Sequence, residues 1–149
     1  MKNKRTWILI ADGSHARTFL NTGVGKGLTA VPDGDFEGSN MPNREINADK
    51  PGMTFNSAGD GRRRKQPSTD PHRQAKYNFA RELAAFLEHG YKKNRFDRLI
   101  LVAPPAMLGD LRTIISGPVR QLLIGELAKD LVHLNERELP GHLADLLSV

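Results

Sequence analysis

A chain of 149 residues with 22 Lys and Arg against 17 Asp and Glu, net charge +5, is long enough for one domain with its own core, and its basic balance suits an anionic partner, nucleic acid first. It has no cysteine, which excludes disulfides, thiolate zinc sites and a cysteine nucleophile, and fits a cytoplasmic location. No run of about 18 apolar residues occurs, so no membrane span is expected, and the basic Met1–Arg5 start followed by a short strand-like run is a poor secretory signal.

Trp7-Ile8-Leu9-Ile10-Ala11 reads as an apolar strand and Asp12-Gly13 as a two-residue hairpin turn. Ala16 to Leu20 returns as the second strand, with Ala16, Thr18 and Leu20 on one face and Arg17 and Phe19 on the other. Gly23, Gly25 and Gly27 mark the next turn. A phosphate-binding loop would need a helix to follow, but Leu28 to Pro32 reads as a strand, so these glycines predict a hairpin. The stretch from Gly38 to Pro67 has no periodicity and is rich in Gly, Asn, Ser, Pro and Asp, which predicts a long loop at about 38–70. Between Gly38 and Arg73 seven basic residues stand against four acidic ones, and four of the seven are Arg62-Arg63-Arg64-Lys65. Adjacent cations repel one another and are comfortable only in solvent or against anions.

Asp70-Pro71 is a capping residue followed by a proline that a first helical turn accepts, and Ala75, Phe79, Leu83, Phe86 and Leu87 give the buried stripe of a helix stopped by Gly90. Leu99 to Ala103 is a strand covered on both faces and ended by Pro104-Pro105. Met107, Leu108, Leu111, Ile114 and Ile115 form a second helix stripe, closed by Gly117-Pro118, and Val119 to Leu127 reads as the last strand. Asn135 with Glu138 resembles a capping box before a terminal helix bearing Leu139, Leu143, Leu146 and Leu147. The order predicts one α/β domain over 1–149. Its mixed five-stranded sheet starts with an antiparallel three-strand meander and continues helix-strand-helix-strand-helix.

Little chemistry is indicated. His15, His72, His89, His133 and His142 form no H-x-H or H-x-x-x-H pair, so no metal site is expected, and no cofactor. His72 stands out only because it adjoins Arg73 where the basic loop meets the helix. Ser14 and His15 are neighbours, and a strand would send them to opposite faces, so they are not expected to act as nucleophile and base. No G-x-S-x-G elbow occurs, and no catalytic residue is assigned. A meander followed by helix and strand also suits ribonuclease H-like folds, whose nucleases hold two metals in clustered carboxylates. Asp12 and Glu82 could supply two; Ala103-Pro104-Pro105 stands where a third belongs, and a turn already explains Asp12.

Ile8-Leu9-Ile10-Ala11-Asp12-Gly13-Ser14-His15-Ala16-Arg17 resembles the start of the bacterial host-attachment protein family, and Leu99 to Pro105 and Glu126 to Leu131 resemble its later segments. That resemblance implies a role in bacterial attachment to host cells and a protein partner. The layout is also similar to the middle domain of archaeal and eukaryotic peptide-chain release factors, whose loop carries Gly-Gly-Gln. Here the loop reads Gly59-Asp60-Gly61-Arg62-Arg63-Arg64-Lys65-Gln66, so the resemblance implies the architecture and a cationic loop but not peptide release. The expectation is a non-enzymatic module that binds ribosomal or transfer RNA, on or off the ribosome. Arg62, Arg63, Arg64 and Lys65 would contact phosphates, flanked by His72, Arg73 and Lys76. A protein-interaction factor and a metal-dependent nuclease are the alternatives.

Overall fold

Six residues, Thr6–Ala11, form β1 and are all buried, because this strand lies in the middle of a sheet with a layer on each face. The structure, a computed structural model, describes residues 4–38 and 70–149. Within them the elements run β1 (Thr6–Ala11), β2 (His15–Asn21), β3 (Thr29–Ala30), β4 (Phe36–Glu37), α1 (Pro71–Lys92), β5 (Arg98–Val102), α2 (Pro105–Ile114), α3 (Gly117–Gln121), β6 (Leu123–Leu127) and α4 (Leu139–Leu143). The sheet order is β3-β2-β1-β5-β6 with β4 also paired to β2, so the mixed α/β sheet has six strands where five are predicted. β1 runs antiparallel to β2 and parallel to β5, which runs parallel to β6. The carboxyl ends of β1, β5 and β6 therefore share one rim.

Side-chain alternation along β1 divides the core. Trp7, Leu9 and Ala11 pack with Phe79, Leu83 and Leu87 of α1, Leu108 and Leu111 of α2 and Val119 of α3. Ile8 and Ile10 face the other way, onto Leu131, Val132 and, from α4, Leu139 and Leu143. The predicted faces of β2 hold, since Ala16 joins the first cluster and Phe19 the second. Its buried polar groups are satisfied: the Thr18 hydroxyl donates to Gly34 O, and the Asn21 amide donates to Gly23 O and Gly27 O. The glycine turn that Asn21 organises has φ values of 148°, 78° and 72° at Gly23, Gly25 and Gly27, and its Gly25 and Gly27 N–H groups donate to Val149 O. The turn precedes a strand, as predicted.

Four local readings are corrected. Gly90 does not end α1, which continues to Lys92; a Cβ there would lie 2.7 Å from the Trp7 ring, so glycine is required by packing. The helix ends instead at Asn94, at φ 57°, where Asn94 N–H donates to Tyr91 O and Arg95 N–H to Gly90 O in a Schellman pattern. Gly117-Pro118 does close α2, but Ser116 caps a further helical turn by accepting from Val119 N–H, so residues 119–121 are helix and the last strand starts at Leu123. The turn after β1 is wider than the two-residue hairpin that Asp12-Gly13 suggests, and Gly13 is not at positive φ. Asn135 and Glu138 make reciprocal contacts, Glu138 accepting from Asn135 N–H and Asn135 from Arg137 N–H, but in the turn before α4, which is capped at Glu138 without a side-chain bond and ends at Leu143, short of Leu146 and Leu147.

The β1 and β5 starts are tied together by Arg5 and Asp97. The Asp97 carboxylate accepts from the Arg5 backbone N–H at 2.8 Å and from its guanidinium at 3.1 Å, and Asp97 N–H donates back to Arg5 O at 2.7 Å. The hydrogen bonds from the Arg5 side chain and backbone hold the Asp97 carboxyl at about 2. A carboxyl lowered on folding adds stability above its unfolded pKa and loses it as pH falls through the folded value, here between about pH 4 and pH 2. The pair is a third exposed, so solvent screening limits the effect. Asp97→Asn is expected to cost about 1 kcal/mol at pH 7 and to flatten stability between pH 4 and 2, measured by urea unfolding across that range.

Candidate functional site

The turn after β1 is built on the Asp12 carboxylate. Its Oδ1 accepts from Ser14 N–H at 2.8 Å and His15 N–H at 2.7 Å, while Asp12 N–H donates to His15 O. An aspartate side chain standing in for a backbone acceptor stabilises this wider turn. One carboxylate oxygen is thus consumed by the backbone, and Oδ2 faces outward to His133 Nε2 at 3.4 Å. Gly13 lies under the Lys76 side chain, whose Cε and Cγ would be 2.9 Å from a Cβ at that position, so the first turns of α1 overhang this loop.

His15 opens β2 opposite Glu37 of β4, and its Nε2 is 3.5 Å from Glu37 Oε2. On its other side Nδ1 is 3.0 Å from Ser14 Oγ and 3.7 Å from Asp12 Oδ1. The expectation that Ser14 and His15 point apart is overturned: Ser14 belongs to the turn, not to β2, so strand alternation does not apply to it. His133 arrives from the segment after β6, its ring centroid 5.2 Å from that of His15. Arg17 fixes that segment by donating from Nη1 to Val132 O at 3.0 Å and to Leu134 O at 2.6 Å, the carbonyls on either side of His133. A groove of about 430 Å³ opens here, lined among others by His15, Arg17, Asp35, Phe36, Glu37 and His133. It opens at the start of β2, next to the end of β1, between β4 and the segment that follows β6.

Of the residues expected to bind nucleic acid, Arg62, Arg63, Arg64 and Lys65 lie outside the described residues. His72 is exposed in the first turn of α1, where its backbone N–H donates to the Asp70 cap. Arg73 forks onto Asp110 of α2 through two 2.8 Å hydrogen bonds, and those bonds together with the Asp110 charge push its guanidinium pKa further up. Lys76 lies over Gly13 in the turn after β1. Of the described residues that flank 39–69, Gly38 donates its N–H to Ser14 O and Asp70 caps α1.

Sequence spacing does not anticipate the meeting of Asp12, His15 and His133. A rule based on histidines a few residues apart cannot see a pair separated by almost the whole sheet. The usable signal is topological: polar residues following two strands of one sheet end on the same rim when those strands run parallel. One carboxylate and two imidazoles offer ligand atoms within 4.8 Å of one another, a donor set that can hold a metal ion. Glu82, the second carboxylate considered for a nuclease, does not belong to this group.

The profile of the family described as "Protein required for attachment to host cells" matches residues 7–143. The chain belongs to this host-attachment family. The matched span runs from β1 to α4 and includes Asp12 and the groove lined by His15 and His133, together with Arg62 to Lys65. No curated protein matches this host-attachment chain. Among its described residues, no helix is long and apolar enough to cross a membrane.

Proposed function

We propose that this host-attachment protein is a non-catalytic binding module that engages ribosomal or transfer RNA through Arg62, Arg63, Arg64 and Lys65, with His72 and Lys76 flanking. The partition of charge carries this reading. Residues 4–38 and 70–149 hold 15 Lys and Arg against 14 Asp and Glu, so four of the five surplus positive charges fall in residues 1–3 and 39–69. The scaffold also spends its own arginines internally: Arg5 on Asp97, Arg73 on Asp110, Arg95 on Asp33 and Arg112 on Glu126. Arg73 is accordingly a brace between α1 and α2 in this reading, and the phosphate contacts pass to its neighbours. A run of four cations between Gly38, which is bonded to Ser14, and the Asp70 cap of α1 is the natural contact for a polyanion.

The test is RNA binding by the whole chain across a salt series, using transfer RNA as the probe. Neutralising about four phosphates gives a slope of log affinity against log salt near −3 to −4, and changing residues 62–65 to glutamine removes most of that slope. Binding that ignores salt, or survives the four substitutions, rules the reading out. A second reading rests on the family description, which suits a protein partner in attachment. It is favoured if the chain sediments with envelope material and not with ribosomes.

A further inference from the structure

We propose that Asp12, His15 and His133 bind one divalent transition-metal ion, with zinc the best fit. Independently of any RNA contact, the three side chains meet at the rim of the sheet with their ligand atoms within 4.8 Å of one another. Zinc bonds of about 2.0–2.2 Å in a tetrahedron set ligand atoms roughly 3.3–3.6 Å apart. Asp12 Oδ1 lies 3.7 Å from His15 Nδ1 and Asp12 Oδ2 lies 3.4 Å from His133 Nε2, separations close to that spacing. Two imidazoles and one carboxylate select zinc-like ions over calcium or magnesium, which take oxygen shells.

The supporting contacts are those a metal site needs. Backbone N–H groups of Ser14 and His15 hold Asp12 Oδ1, which also faces His15 Nδ1 at 3.7 Å, and leave Oδ2 toward His133 Nε2 at 3.4 Å. Glu37 stands behind His15 at Nε2, the placement by which an outer carboxylate fixes the other ring nitrogen as the ligand, and the ion would replace the Ser14 Oγ contact now 3.0 Å from Nδ1. Arg17 anchors both carbonyls flanking His133, so the third ligand rides on a braced segment even though its own side chain is 68% exposed. Three protein ligands leave a fourth position for water or an anionic oxygen of a ligand, and two of the three, His15 and His133, line the groove.

The experiment is titration of the tag-free full chain with cobalt(II), read by visible absorption, and with zinc, read by calorimetry and thermal shift. A single saturable equivalent with tetrahedral cobalt absorption is expected, together with a zinc-dependent rise in Tm. His133→Ala removes an exposed ligand without disturbing the core, and Asp12→Asn keeps an acceptor for the turn. Each is expected to weaken zinc binding at least roughly tenfold, and Glu37→Gln to weaken it by about 10-fold. His142→Ala, on α4 away from the group, leaves it unchanged. Absence of a saturable equivalent, or equal affinity in wild type and His133→Ala, overturns the site. So does an equal loss in His142→Ala.

Discussion

Trp7→Ala is expected to lower the unfolding free energy by about 3–5 kcal/mol, the range for emptying a large aromatic site in a core. The indole is 2% exposed and stacks on Phe86 at 5.1 Å and Phe96 at 4.5 Å. The Arg95 guanidinium lies 5.0 Å over its ring and is itself forked onto Asp33 through two 3.0 Å hydrogen bonds. Gly90 has no side chain to fill the space left, because its own Cβ position is where the indole now sits. Alanine therefore unseats two aromatic rings and an ion pair and leaves a cavity that α1 cannot close. Urea unfolding followed by circular dichroism measures the difference, since the chain has a single tryptophan and the variant none. A loss below about 1 kcal/mol would show that the α1 layer repacks freely around β1.

Arg17→Met is expected to cost about 1.5–3 kcal/mol, the worth of hydrogen bonds from a charged donor. Methionine keeps an apolar stem near Phe19, whose ring the guanidinium covers at 5.0 Å, but leaves Val132 O and Leu134 O without their donor. Both carbonyls belong to the segment that places His133, so the substitution also loosens the groove. Hydrogen exchange should rise selectively over residues 131–135 in the variant. An unchanged exchange pattern there, with stability intact, would mean that the apolar seats of Leu131 and Val132 hold the segment alone.

Patterns that repeat along the chain were legible before any coordinates. β1, β5, α1 and α2 each carry an apolar run or stripe longer than one turn of structure, and burial acts on that periodicity directly. β4 is two residues long, Phe36–Glu37, and has no period to detect; it exists because β2 offers it a partner at His15 and Ala16. α3 hides in Ser116-Gly117-Pro118, which ends one helix and caps the next with the same residues. The basic cluster was conspicuous because its cations are consecutive. The groove was not, because Asp12 looks like an ordinary turn residue and His133 like a solitary surface histidine. Only the parallel alignment of β1, β5 and β6 makes them neighbours.

The two short strands beside β2 have a consequence for how this protein meets other polypeptides. β3 pairs at Phe19 and Leu20, β4 at His15 and Ala16, and between them Val31 N–H reaches Thr18 O. That margin is thus occupied piecemeal along most of its length, and a foreign strand finds no continuous row of free amides to zip onto. Among the described residues the opposite margin, β6, pairs only with β5 and leaves Ile124 45% exposed. Among the described residues, β6 is therefore the longest of the sheet's outermost strands, five residues against two each in β3 and β4.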